Sequence, residues 1–266
     1  MHIGYFWISY NLEMSHSSLN NQITFLGHSS LEIILGGKKI LVDPVFSNQI
    51  LGFFRREKPF PLDPSLLNQP DLLLLTSTRA DHFDIFSYKY FPLTTSIVIP
   101  QNGAEKVSRF LSNPLFSLKP DENYTQDGFE VVATTTKSTS FFRWKNSTAN
   151  YLIKNKNHSI FICSTNYSSQ SFNSLSGSID IALLPLGPTN KVGFDQKTLL
   201  SPEELMKVFK KINAKYLIPI HWGGFHSSLE RPDEAINQLK ALLAKDNELA
   251  SQVIILEPGM SYPLET

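Results

Sequence analysis

Four consecutive leucines, Leu72 to Leu75, run without a break into the polar stretch Ser77-Thr78-Arg79-Ala80-Asp81-His82-Phe83-Asp84. An apolar run of strand length reads as a buried strand, and the polar cluster then falls where that strand opens into a loop at the sheet edge. Layered α/β folds commonly build their sites at such strand ends. A chain carrying this transition is constrained to a sheet that delivers histidine, aspartate and arginine to one rim.

The rest of the pattern agrees. Gln22 to Leu26, Leu31 to Leu35 and Lys39 to Val42 predict an opening β-meander, with Gly36-Gly37 as a two-residue hairpin turn. Ser96 to Ile99 predicts a further buried strand. Short helices are expected over Asp84 to Phe91 and Gly103 to Leu111. From Phe129 to Cys163 the pattern returns to strands, centred on Val131 to Ala133, Tyr151 to Ile153 and Ile160 to Ile162. A second α/β passage follows: strand Ile179 to Leu184, helix Pro202 to Lys211 capped by Ser201, strand Tyr216 to Ile220, helix Pro232 to Ala244 and strand Val253 to Leu256.

Composition excludes several classes of partner. Lys+Arg and Asp+Glu are equal at 24 each among 266 residues, and no basic tract offers a surface to nucleic acid. The lone cysteine, Cys163, ends an apolar run and is expected to be a buried strand residue, which fits a reducing, cytoplasmic setting. Tyr5 to Ile8 is apolar but far too short to span a bilayer, so no transmembrane segment is expected. Residues 1–21 are read as an N-terminal extension with Met14 as the natural start, and residues 22–266 as a single domain.

Five motifs in fixed order resemble the metallo-β-lactamase superfamily. Besides the polar cluster they are Phe25-Leu26-Gly27-His28-Ser29-Ser30, Ile40-Leu41-Val42-Asp43-Pro44-Val45-Phe46-Ser47, Leu183-Leu184-Pro185-Leu186-Gly187, and Ile218-Pro219-Ile220-His221-Trp222-Gly223-Gly224-Phe225. Within the superfamily they are most similar to the branch that includes N-acylphosphatidylethanolamine phospholipase D and L-ascorbate-6-phosphate lactonase. The resemblance implies an α/β fold of the four-layer αββα sandwich type, and one or two zinc or iron ions at the strand end.

That family carries His-x-His-x-Asp-His where this chain has Ser77, Arg79, Asp81 and His82. The first two histidines bind one metal in the family; the aspartate and the last histidine bind the other. A further first-site histidine should fall around Thr135 to Arg143, where there is none, and the bridging aspartate is replaced by Ser164. Leu199 stands where some relatives have another histidine. His221 matches the family's last second-site ligand. Serine hydroxyls are weak donors to zinc and a guanidinium cannot coordinate a cation, so a binuclear site is not expected. Asp81, His82 and His221 remain as ligands for a mononuclear site.

Two functional expectations follow. The first is a pseudoenzyme with a degenerate metal site and no cofactor. It would bind a small anionic molecule or a protein partner through Arg79, Ser77 and Ser164. The alternative is a mononuclear hydrolase of an ester, lactone or phosphodiester, with one zinc or iron ion on Asp81, His82 and His221. His28 is read as a structural residue at a strand end and Asp43 as ordering backbone in its turn. Arg79 is expected either to face an anion or to pair with Asp81 or Asp84.

Overall fold

The computed structural model describes residues 20–52, 54–134, 146–163, 179–188, 199–225, 231 and 233–265. Strands β1 (Asn21–Gly27), β2 (Ser30–Leu35) and β3 (Lys38–Val42) form the expected meander. Gly36 and Gly37 turn the second hairpin with φ of 59° and 76°, a geometry that glycine adopts without steric cost. A two-strand ribbon follows, β4 (Gln49–Ile50) with β5 (Phe54–Arg55). Next come β6 (Leu72–Leu74) and β7 (Ser96–Pro100), joined through a single 3-10 turn at Ser87–Tyr90 where a helix was expected from residue 84. The helix expected over Gly103 to Leu111 shrinks to one turn, α1 (Ala104–Val107), before β8 (Leu115–Leu118).

A second run of strands comprises β9 (Asn123–Gln126), β10 (Phe129–Thr134), β11 (Asn150–Lys154), β12 (Ser159–Ile162) and β13 (Ile181–Pro185). Helix α2 (Pro202–Ile212) starts with a full capping box between Ser201 and Glu204 and ends on Asn213 in the left-handed region, as its sequence signals require. Then follow β14 (Tyr216–Ile220), α3 (Glu234–Leu243), α4 (Asn247–Gln252) and β15 (Ser261–Pro263). The strand expected at Val253 to Leu256 is reduced to one bridge to β14, Leu217 with Val253; β15, three residues with weak alternation, pairs with β1 at the edge of the other sheet.

These strands make two sheets, ordered β15-β1-β2-β3-β6-β7-β8 and β14-β13-β12-β11-β10-β9. Strand β6 lies between β3 and β7, parallel to both. Its leucines show why the run is unbroken. Leu72 and Leu74 face the core shared by the two sheets, while Leu73 and Leu75 face an outer cluster with Phe83, Tyr88, Phe91 and Val107. Leu205, Phe209, Ile236 and Leu239 of α2 and α3 join the shared core from the second sheet. The α/β sandwich is as expected. Cys163 is fully buried beyond β12, and burial pushes its thiol up to about 12.

Candidate metal centre

Strands β1, β3 and β6 run in one direction, so their carboxyl ends share a rim, and the end of β14 meets that rim from the other sheet. The four ends deliver His28, Asp43, the Thr76–His82 loop and His221. A backbone hydrogen bond from His221 N to His28 O, 2.6 Å long, ties the two sheets together there. His28, Asp43 and His221 all have positive φ, at 58°, 41° and 74°. Non-glycine residues seldom take that conformation, and their convergence at one rim marks a place where the fold holds side chains at some cost.

The side chains close into a buried cluster. One ligand atom from each of His28, Asp81, His82 and His221 lies within 4.8 Å of every other. His28 Nε2 is 3.4 Å from Asp81 Oδ2, and His82 Nε2 is 3.7 Å from the same oxygen. His28 and His221 are nearly in ring contact, with centroids 3.8 Å apart, and Phe225 packs edge-on against His28. Gly224 is required for this packing, because a Cβ there would lie 2.3 Å from that of His28.

Asp43 acts behind the cluster. Its Oδ1 accepts the backbone N–H of Thr76 at 2.7 Å, while its Oδ2 accepts from the Thr76 hydroxyl and lies 2.6 Å from His82 Nδ1. A carboxylate can only accept there, so Nδ1 carries a proton, and whenever the ring is neutral its lone pair lies at Nε2. That Nε2 is buried without a hydrogen-bond partner, and so is Nε2 of His221. Buried polar atoms left bare are costly. A divalent cation would satisfy both, together with the carboxylate of Asp81. Three imidazoles and one carboxylate are a donor set suited to zinc or non-haem iron.

The charges divide the three rings, two favoured neutral and His82 more readily protonated. Burial lowers the pKa of His28 against the opposing pull of Asp81. Burial, reinforced by its two histidine neighbours, holds His221 well below its ordinary value, so both rings are kept neutral and able to donate a lone pair. Burial also acts against the charged form of His82, yet Asp81 and Asp43 override it and raise its pKa. Asp81 would be raised by burial but is held well below the carboxylate range by His82, a hydrogen bond from His28, and Arg79.

Asp81, His82 and His221, the set expected from sequence, are thus brought together. His28, read as structural, joins them; its signal was a histidine beside Gly27 at a strand end, in the same kind of position as His221 beyond β14. Asp43 orders backbone as expected and in addition orients His82. Arg79 forks onto Asp81 through Nε at 3.1 Å and Nη2 at 3.0 Å, one of the two pairings expected for it. Ser77 is fully buried and its hydroxyl accepts from the backbone N–H of Arg79. Ser164, and the stretch around Thr135 to Arg143, lie outside the described residues.

A metallohydrolase-type sandwich with a buried histidine and aspartate cluster is the class that this fold and site define. The chain belongs to the beta-lactamase superfamily domain family, whose model matches residues 22–221. A metal-dependent hydrolase of Thermococcus kodakarensis is 25% identical over 257 residues, covering 91% of this chain and 99% of that protein. The mitochondrial N-acyl-phosphatidylethanolamine-hydrolyzing phospholipase D of Saccharomyces cerevisiae is 22% identical over 81% of this chain and 51% of its own length. Among solved structures, an isothiocyanate hydrolase from Delia radicum gut bacteria superposes with a TM-score of 0.73 at 18% identity, covering 91% of this chain and 98% of that one. CmlA, a diiron β-hydroxylase from Streptomyces venezuelae, does so with a TM-score of 0.68 at 15% identity, over 93% of this chain and 55% of its own.

The expectation of a protein without a cofactor is corrected by these findings. That expectation counted three surviving ligands and set them against a lost bridging aspartate and an intruding arginine. The fold brings a fourth residue able to donate, His28, into the cluster, and the metal-dependent hydrolase relatives match the chain nearly end to end. Among the described residues no helix is long and apolar enough to cross a membrane.

Proposed function

We propose that this protein is a mononuclear metal-dependent hydrolase of an ester, lactone or phosphodiester. Asp81, His82 and His221 would hold the ion, with His28 as fourth donor in place of the family's missing first-site residues. The observation that carries the reading is the bare Nε2 of His82, buried and fixed in its tautomer by Asp43. A protein that only bound an anion would have no use for a second bare imidazole nitrogen, that of His221, at the same point. The hydrolase names of the full-length relatives support the same reading. We further propose that residues 22–266 act as one unit, since both sheets contribute donors.

Bound at this cluster, a zinc or iron ion supplies Lewis acidity and lowers the pKa of water. The protein's own part is to keep His28 and His221 neutral by burial, to orient His82 through Asp43, and to hold Asp81 ionised. The ring of Phe225 packs edge-on against His28 and so braces that imidazole.

The test is elemental analysis of protein expressed with zinc, iron and manganese available, beside Asp81→Ala/His221→Ala and His28→Ala variants. About one metal per chain is expected, lost in the double variant and reduced in His28→Ala, with hydrolysis of aryl esters, lactones or bis-aryl phosphodiesters by the loaded protein. Metal at background in the wild type would overturn the proposal and return the non-hydrolytic reading to first place.

A further inference from the structure

The two inner histidines are held in different ways. Nδ1 of His82 has the carboxylate of Asp43 behind it, whereas Nδ1 of His28 is buried with no hydrogen-bond partner. Packing, rather than an acceptor behind the ring, must therefore set the direction of His28. That packing comes from Gly224 and from Phe225, whose ring stands edge-on with its centroid 5.4 Å from that of His28. Phe225 in turn meets Arg56, which follows β5 and forms an isolated antiparallel bridge with it. The guanidinium carbon lies 4.7 Å from the centre of the Phe225 ring.

Arg56 is an unusual residue to find there. It is 8% exposed, and among the described residues no carboxylate forms an ion pair with it. Burial pulls its pKa down to about 10 against the opposing charge of Asp84, so it stays a cation at neutral pH. Its hydrogen bonds go to carbonyls, from Nη2 to Val45 O and from Nε to Ser47 O at 3.4 Å. Nη1 lies so close to Gly27 that a Cβ on that glycine would come within 3.1 Å of it.

We propose that Arg56 is a positioning residue of the metal centre, holding His28 through Phe225 and Gly27, and the Asp43 turn through two carbonyls, in ligating geometry. The proposal rests on the reading of the cluster as a metal site.

The places that Arg56 touches carry the argument. Gly27 precedes His28, Val45 and Ser47 follow Asp43 in its turn, and Phe225 lies four residues beyond His221. One side chain thus meets the flanks of all three residues that converge on the rim with positive φ. Backbone held in that region persists only where its surroundings over-determine it. A buried cation with carbonyls as its acceptors is a costly way to fill space, since an apolar side chain of similar length needs no desolvation of charge. What a guanidinium adds is a flat face for the Phe225 ring and, at the same time, donors along its edge for two carbonyls. Lysine offers a point charge to one of these partners and cannot serve them all.

The experiment is titration of cobalt(II) into metal-stripped full-length protein, followed by visible absorption, which reports the ligand set and its geometry. Wild type, Arg56→Met, Arg56→Lys and His28→Ala are compared, and urea unfolding in EDTA measures the stability of each without metal. Arg56→Met should unfold cooperatively, bind cobalt about tenfold or more weakly than wild type, and show a spectrum displaced towards that of His28→Ala. Arg56→Lys, which keeps the charge beside Phe225 but not the fork, should recover part of both the affinity and the spectrum. If Arg56→Met does not fold, Arg56→Lys decides on the same two readouts. A wild-type spectrum in the Arg56 variants, whether affinity falls or not, would show that Arg56 only supports the fold and would overturn the inference. So would a His28→Ala spectrum identical to wild type, because His28 would then not be a ligand to position. Absence of cobalt binding in wild type would instead overturn the metal reading beneath it.

Discussion

Asp43→Asn is the most revealing single substitution, because it changes hydrogen-bond direction while hardly changing volume. Asp43 is fully buried, and its two oxygens serve the Thr76 N–H at 2.7 Å, the Thr76 hydroxyl and His82 Nδ1 at 2.6 Å. In asparagine the carbonyl oxygen can keep the Thr76 N–H, but the amide NH2 then faces His82. Donor meets donor unless the imidazole proton moves to Nε2, the atom that must be bare to bind metal. Losing one charge-assisted hydrogen bond should lower stability by about 1.5–3 kcal/mol. Losing the carboxylate that orients a ligating histidine should weaken metal binding by roughly 10–100-fold, or about 1.4–2.7 kcal/mol. Competition with a chromogenic chelator measures the zinc affinity, urea unfolding in EDTA measures the stability, and nitrogen-15 shifts of His82 report the tautomer. A variant that is destabilised yet binds zinc within twofold of wild type would show that Asp43 only orders the Thr76 turn, and the reasoning from tautomer to metal site would be wrong.

Two further outcomes are expected. The metal-free protein should lose stability as pH falls below about 6.5: His28 and His221 have lowered pKa values in the fold, so the unfolded chain takes up protons there first, while His82, raised in the fold, opposes this only until the unfolded ring is charged as well. The loss should approach about 1.4 kcal/mol per pH unit for each of the two rings, and urea midpoints in EDTA that stay flat over this window would refute it. Gly224→Ala sets a methyl 2.3 Å from the His28 Cβ and 2.6 Å from its Nδ1, and the His28 backbone is pinned by His221. A cost of about 1–3 kcal/mol is expected, with reduced metal content by elemental analysis; full metal content at wild-type stability would show that His28 is free to shift.

Much of the fold was legible along the chain because its signals are local. Gly36-Gly37 announces a hairpin, Ser201-Pro202 with Glu204 announces a capped helix, and Leu72 to Leu75 announces a strand buried on both faces; each rests on backbone preference or periodicity within a few residues. The elements that differed had weaker local support. Val253 to Leu256 has the composition of a strand but finds only one bridging partner, whereas Ser261–Pro263 pairs with β1 because the chain returns there.

For the site, the sequence by itself determined which residue types were available: Asp81, His82 and His221 on strand-end motifs, and Arg79 where a histidine would allow a second metal. It could not show that His28, more than fifty positions from Asp81 and still further from His221, completes the set. That was decided when β1 and β14, from different sheets, met at one rim and were joined by the His221 to His28 backbone hydrogen bond. Nor could it show that Asp43 turns His82 so that one nitrogen is left bare. Residue identity is a property of the chain, but ligand count, tautomer and desolvation arise only where distant strand ends converge in a buried place.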